Sequence, residues 1–199
     1  MIVVDVEASS VDPEVGSIVS VGALDIANPT NQLYIECRVW DGAHISEEAS
    51  AIHGFTNEQL HDPKKPSEAD LTHTFKEWAM KLDERTFAGQ NVSFDRDYLR
   101  AAAERAGHTD WPFAHRTIDT HTLCYMHMVK QGVNPPVDPV HKRSALNLDA
   151  VLNYCGIPEE PKPHNALTGA MSHAEVISRL LYGKKLLSQF DQFQIPWVL

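Results

Sequence analysis

The chain has 199 residues, of which 43% are hydrophobic and 22% charged, as is typical of one globular domain with a sizeable core. Its formal net charge of −10 argues against a protein that coats long nucleic acid through a general positive field. Three widely spaced cysteines, no basic-then-apolar leader and no membrane-length apolar run predict a cytoplasmic protein that does not contact a membrane.

The predicted elements begin with strands and continue with helices that alternate with short strands. Strands are predicted at 2–6, 17–26, 32–40, 86–88 and 116–119, with a turn at 28–31. Helices are predicted from Ser46 onward, at 67–83, from Asn91 to near Gly107, up to Val129, and at 146–155 and 165–187. This order predicts an α/β domain with a mixed central β-sheet flanked by helices. The domain is expected to span 1–187, and the aromatic tail at 188–199 is expected to pack on the body or on a partner.

Two carboxylates interrupt the first apolar strand. Asp5 and Glu7 stand two residues apart, so their side chains point to the same face. A buried carboxylate is costly unless it is compensated, and a divalent cation with oxygen ligands would compensate both. The pattern alone is equally compatible with a solvated sheet edge.

Two further residues allow a functional or a structural interpretation. Asp95 falls in the first turns of the helix that Asn91 is expected to cap, where the helix dipole favours an anion. His164 opens the last long helix and could exchange protons near neutral pH. Taken singly, each is also typical of an ordinary helix-stabilising aspartate or surface histidine.

In their order and spacing, four segments resemble the motifs of one family. They are the Asp-x-Glu strand at 4–8, the Glu and Ile-His-Gly-Phe-Thr segment at 48–56, the Asn-x-x-Phe-Asp segment at 91–95 and the His-x-Ala segment at 164–167. Together they resemble the DEDD-type 3′–5′ exonucleases of the histidine subclass, the DnaQ-like group that includes proofreading exonuclease subunits and RNase T. The resemblance implies a ribonuclease H-like exonuclease fold.

The resemblance also implies a chemistry for the conspicuous side chains. Asp5, Glu7 and Asp95 would hold two Mg²⁺ or Mn²⁺ ions at the 3′-terminal phosphodiester, and His164 would be the general base.

The substrate contacts that the resemblance implies lie close to these motifs. The backbone at Ala8, with Glu48 and His53, would hold the terminal nucleotide, and Asn91 would support the strand. The implied partner is single-stranded or 3′-terminal DNA or RNA, and the relatives suggest a homodimer.

One position departs from the family pattern. An aspartate is expected five residues after the histidine, where this chain has Gly169, and the same helix carries no acid before Glu175. Three explanations are open: an engineered inactive form, a natural pseudo-enzyme, or a weak enzyme whose missing ligand is water or His173. A catalytically inactive form would bind nucleic-acid ends or dock on a polymerase or another nuclease. On this basis we expect impaired hydrolysis, and an increase of orders of magnitude on Gly169→Asp substitution.

A proline-rich loop carries the densest basic patch of the acidic chain. Lys130, His141, Lys142 and Arg143 lie around it. This patch is hypothesised to steer phosphates toward the metals, and a merely solvated loop explains it equally well.

Overall fold

The strand that carries Asp5 and Glu7 is the centre of a five-stranded sheet in a computed structural model, which describes residues 1–108 and 110–198. The strands are β1 (Ile2–Ala8), β2 (Ile18–Asp25), β3 (Asn28–Glu36), β4 (Phe87–Gly89) and β5 (Thr117–Asp119). Their order is β3-β2-β1-β4-β5, with β1 to β3 antiparallel and β4 and β5 parallel to β1. The predicted mixed sheet is therefore confirmed.

Seven α-helices surround this sheet in the described residues. They are α1 (Glu47–His53), α2 (Asn57–Leu60), α3 (Glu68–Ala79), α4 (Ser93–Arg105), α5 (Thr120–Lys130), α6 (Leu148–Tyr154) and α7 (Ala166–Tyr182). Ser46 and Ser67 cap α1 and α3 through their side chains, as polar residues do at helix starts.

The two faces of β1 contact different helices. Val4 and Val6 belong to the core shared with α3 and α4, whereas Val3 packs with Ala174 and Ile177 of α7. Because side chains alternate along a strand, Asp5 and Glu7 point toward the α7 side. Gly22 on β2 permits this close packing, since a Cβ atom there would lie 2.2 Å from the backbone of Ala166.

Two predicted boundaries near turns are wrong. The β2–β3 turn lies before Asn28, which pairs with Asp25, and Pro29 therefore belongs to the edge strand β3. An edge strand tolerates proline because one row of its N–H groups is not needed for pairing. Helix α7 ends at Tyr182, because Gly183 adopts a left-handed conformation with φ of 61°.

The aromatic tail packs on the body of the protein, which is one of the two placements expected for it. Phe190 is buried, and Phe193 and Trp197 pack against the cluster that α5, α6 and α7 share. The tail also includes a short 3-10 helix at Ser188–Phe190. Within residues 1–108 and 110–198, we find no helix with the length and apolarity needed to cross a membrane. The cytoplasmic location and the homodimer stay predictions.

Candidate active site

The three predicted carboxylate ligands meet where β1 passes the start of α4. The Val6 amide donates a hydrogen bond of 2.8 Å to Asp95 Oδ1, which ties the aspartate of α4 to the strand between Asp5 and Glu7. Glu7 is 7% exposed and Asp95 only 3%. Two segments that are distant in the chain thus place their acids in one recess.

Burial and mutual repulsion perturb all three acids in the same direction. Burial raises the pKa of Asp5 well above its ordinary value, and the charges of Asp95 and Glu7 raise it further. Burial also raises the pKa of Glu7 to about 7 and that of Asp95 to about 8. The recess therefore favours either protonated acids or a bound cation that offsets their charge.

The general-base candidate, His164, lies at the edge of this recess. Its backbone amide donates to the Ile52 carbonyl oxygen over 3.0 Å, so the loop before α7 is attached to α1. Asn165 then caps α7 through its side chain, which accepts from the amides of Leu167 and Thr168. The His164 side chain is 30% exposed, so it remains accessible to water and substrate.

A fourth acid, which the sequence analysis did not identify, reaches the same recess. Glu160 lies in the loop four residues before His164, and its side chain is 4% exposed. Its charge raises the pKa of Asp5, and burial followed by the charges of Glu7 and Asp149 raises its own pKa to about 7. In the sequence, the only indication that Glu160 reaches the recess is its position in the short loop before the histidine motif.

A pocket of about 560 Å³ opens beside Glu7. Its lining includes two of the predicted substrate residues, Ala8 and Glu48, together with the apolar side chains of Ile52 and Phe94. The pocket therefore combines an apolar surface on which a base could stack with a polar rim near the carboxylates.

The two other predicted substrate residues lie outside this lining. His53 is buried at the end of α1, where its Nδ1 accepts a hydrogen bond of 3.0 Å from the Phe55 amide. Asn91 is exposed with φ of 50°, and α4 begins after Val92, whose position at the helix start has no side-chain cap. The expectation that Asn91 caps this helix is wrong, whereas its contact with substrate stays a prediction.

The three predicted ligands have no ion-pair partner in the part of the chain that the structure describes. No lysine, arginine or histidine within residues 1–108 and 110–198 forms an ion pair with Asp5, Glu7 or Asp95. Among these described residues, no three His, Cys, Asp or Glu side chains already have the arrangement that holds a metal ion. The charges of Asp95, Glu7 and Glu160 are nevertheless close enough to Asp5 to raise its pKa.

Comparison with known proteins agrees with the motifs. Residues 2–177 match the exonuclease family, RNase_T. The DNA polymerase III PolC-type proteins of Thermotoga maritima and Thermotoga petrophila are each 24% identical over 180 residues, which are 90% of this chain and 12% of theirs. The chain thus spans only a small part of these curated relatives.

The solved structures show the same fold. Exonuclease I from Methylocaldum szegediense superposes with a TM-score of 0.70 at 19% identity, over 92% of this chain and 41% of that protein. E. coli Exonuclease I in complex with a dA16 oligonucleotide gives a TM-score of 0.69 at 17% identity, over 92% of this chain and 40% of that one. The fold is therefore ribonuclease H-like, and the chain belongs to the exonuclease family, in the DEDD-type, DnaQ-like group that its motifs resemble.

Proposed function

We propose that this chain is a 3′–5′ exonuclease that hydrolyses the terminal phosphodiester of single-stranded or 3′-ended DNA or RNA with two Mg²⁺ or Mn²⁺ ions. The observation that carries the proposal is the convergence of Asp5, Glu7 and Asp95 in a buried recess beside His164 and an open pocket. Family membership supports it, since the same segments supply the motifs and the recess.

The donor set fits hard divalent cations. Carboxylate oxygens are the ligands that Mg²⁺ and Mn²⁺ prefer, and these acids have no cationic partner within the described residues. When bound, two such ions would supply activation of a water molecule and stabilisation of the leaving 3′ oxygen. Asp5, Glu7 and Asp95 would together hold these ions.

The remaining steps fall to groups that the chain itself provides. His164 is accessible and would accept the proton of the attacking water. Ile52 and Phe94 would receive the terminal base, while the backbone near Ala8 and the exposed Glu48 would contact the sugar. The new bond joins the water oxygen to phosphorus, and the bond to the 3′ oxygen breaks, so one nucleotide leaves with its 5′ phosphate.

A second candidate function is a catalytically silent protein that binds nucleic-acid ends. The observation that favours it is Gly169, which leaves α7 without the expected metal-ligand aspartate. It predicts end binding in Mg²⁺ without product formation. The two functions differ only in whether another group takes the place of that aspartate.

The direction of cleavage is tested with single strands of DNA and RNA labelled at either end, in Mg²⁺ and in Mn²⁺. A 3′–5′ exonuclease shortens the 5′-labelled strand into a ladder and releases label from the 3′-labelled strand as a mononucleotide at once. The Asp95→Asn variant serves as the inactive control, and a circular single strand excludes endonuclease activity. Release of mononucleotide from the 5′ label instead would refute the proposed direction, and binding of ends without cleavage would favour the second function.

A further inference from the structure

The space above Gly169 is already occupied by carboxylate oxygens. A Cβ atom built on Gly169 would lie 2.1 Å from Asp5 Oδ2 and 2.8 Å from Asp5 Cγ. The next nearest atom is Glu160 Oε1, at 3.3 Å. An aspartate at this position would therefore displace Asp5 and enter the volume that Glu160 fills, so glycine is a steric requirement of the present arrangement.

Glu160 points into this recess without a partner of its own. Its Oε1 atom is buried and accepts no hydrogen bond from the described residues. The ring nitrogen Nδ1 of His164 lies 3.9 Å from the other oxygen, Oε2, beyond hydrogen-bond distance. A buried carboxylate oxygen without a donor is expensive unless a ligand completes it.

The loop that carries Glu160 is attached to the body at both ends. Before it, Ile157 is 2% exposed and its amide donates to the Leu152 carbonyl oxygen over 2.9 Å. After it, the His164 amide is bonded to Ile52. These anchors hold the Glu160 carboxylate over the first turn of α7. An aspartate at position 169 would extend its side chain from the same turn.

We infer that Glu160 is the fourth metal-binding carboxylate of this site and replaces, from the preceding loop, the aspartate that α7 lacks at Gly169. The inference rests on the proposed function, because it assigns one more ligand to the same pair of ions. It makes the chain a competent enzyme and removes the reason to expect impaired hydrolysis. The distance of 3.3 Å between Glu160 Oε1 and a Cβ atom at position 169 agrees with this assignment.

Manganese binding tests the inference independently of activity. Calorimetric titration with MnCl₂ and the Mn²⁺-induced shift in unfolding temperature would be compared for the unmodified chain, Glu160→Gln and Glu159→Gln. Glu159 is the matched control, because it is the neighbouring glutamate, exposed, and bonded to Asn153 rather than to the site. We expect Glu160→Gln to weaken Mn²⁺ binding roughly tenfold or more, as loss of a ligand does, and Glu159→Gln to leave it unchanged.

Folding of the variant is checked without metal. Glu160→Gln removes a buried negative charge from the recess, so its unfolding temperature in EDTA should equal or exceed that of the unmodified chain. Equal Mn²⁺ affinity in Glu160→Gln and the unmodified chain would overturn the inference while leaving the nuclease function standing. A chain that neither binds Mn²⁺ nor hydrolyses single strands would instead refute the proposed function, and this inference with it.

Exchange of the carboxylate between the two positions is a second test. Gly169→Asp alone should lower Mn²⁺ affinity and hydrolysis, since it clashes with Asp5 and adds a fifth acid. In a Glu160→Ala background the space is larger, and adding Gly169→Asp should recover part of the lost Mn²⁺ affinity. A rise in hydrolysis on Gly169→Asp alone, with no effect of Glu160→Gln, would show that the site lacks its fourth carboxylate.

Discussion

The buried ion pair that attaches the C-terminal tail gives a prediction with a large expected magnitude. Arg179 and Glu175 are both 0% exposed, and Arg179 Nε donates to Glu175 Oε1 over 2.8 Å. The guanidinium group also donates to four backbone carbonyl oxygens, three of them in the tail, namely those of Cys155, Phe190, Phe193 and Gln194. The other oxygen of Glu175 accepts from the amides of Leu186 and Leu187. One arginine therefore fixes the tail to α7.

Replacing Arg179 by methionine keeps much of the side-chain volume but leaves Glu175 buried without its counter-charge. Breaking a buried pair in this way costs roughly 3–5 kcal/mol. For a chain of this length each kcal/mol corresponds to about 2–4 °C, so the unfolding temperature should fall by roughly 6–20 °C. The assay is thermal and urea unfolding, with limited proteolysis to report release of the tail.

Arg100→Met is the matched control, because Arg100 pairs with Glu104 at the same spacing while both side chains are 59% exposed. Exposed pairs contribute less than about 1 kcal/mol, so this variant should unfold close to the unmodified chain. The double variant Glu175→Gln and Arg179→Met should be less destabilised than Arg179→Met alone, since it buries no unpaired charge. If Arg179→Met and Arg100→Met shift the transition equally, the assigned role of the buried pair is incorrect.

Three further predictions concern the site and its surroundings. Because burial holds the pKa of Asp95 at about 8 in the fold against an ordinary 3.8, the protonated acid stabilises the metal-free protein at low pH. That stability is present below the unfolded pKa and is lost as the pH rises through the folded pKa. The unfolding temperature in EDTA should therefore fall between about pH 4 and 8, and Asp95→Asn should flatten this decline. His164→Ala should lower the hydrolysis rate about 10²–10⁴-fold while changing Mn²⁺ affinity far less, as measured by single-turnover cleavage and calorimetry. Substituting Lys142 and Arg143 by alanine should reduce the salt dependence of oligonucleotide binding by up to about 1.4 in the log–log slope, measured by fluorescence anisotropy.

Each of these has an outcome that contradicts it. A metal-free unfolding temperature that rises toward pH 8 would show that the acids are not destabilising in the fold. Equal loss of metal affinity and rate in His164→Ala would indicate a structural role for the histidine. An unchanged salt slope would make the loop of Lys142 and Arg143 a solvated segment that does not meet phosphates.

Local signals were sufficient for the strand and helix order, whereas the three acids were singled out by the order and spacing of the motifs. The apolar run around Asp5 and Glu7 indicates a strand, and Ser46 and Ser67 are strong helix-start residues. The β2–β3 turn was misplaced because Asn28 and Pro29 are typical turn residues in any short window. Only the pairing of the edge strand, which is a tertiary fact, shows that proline is tolerated there.

The helix cap that sequence reasoning assigned wrongly depends on the backbone geometry of the segment before α4. Asn91 follows the polar-residue rule for a helix cap, yet its φ of 50° places it before the helix, which starts at Ser93 without a side-chain cap. His53 fits a binding motif, and its Nδ1 accepts a hydrogen bond from the Phe55 amide while its buried Nε2 has no partner among the described residues, so its contact with substrate stays a prediction. A motif specifies which residue types are present, whereas the fold decides which of their atoms are still available to a ligand.

The inferred role of Glu160 illustrates how a motif with one unexpected residue can mislead when another segment supplies the charge. Two bound cations require carboxylate oxygens at certain positions, and any backbone segment can supply those oxygens. On a helix the candidates are limited to residues a turn apart, so a search along α7 after Gly169 finds only Glu175, which the buried Arg179 already uses. A loop has no such periodicity, and an acid four residues before His164 can reach the same point once both ends of the loop are anchored. Gly169 and Glu160 belong to the same arrangement, because a side chain at position 169 would overlap Asp5 and press against the carboxylate of Glu160.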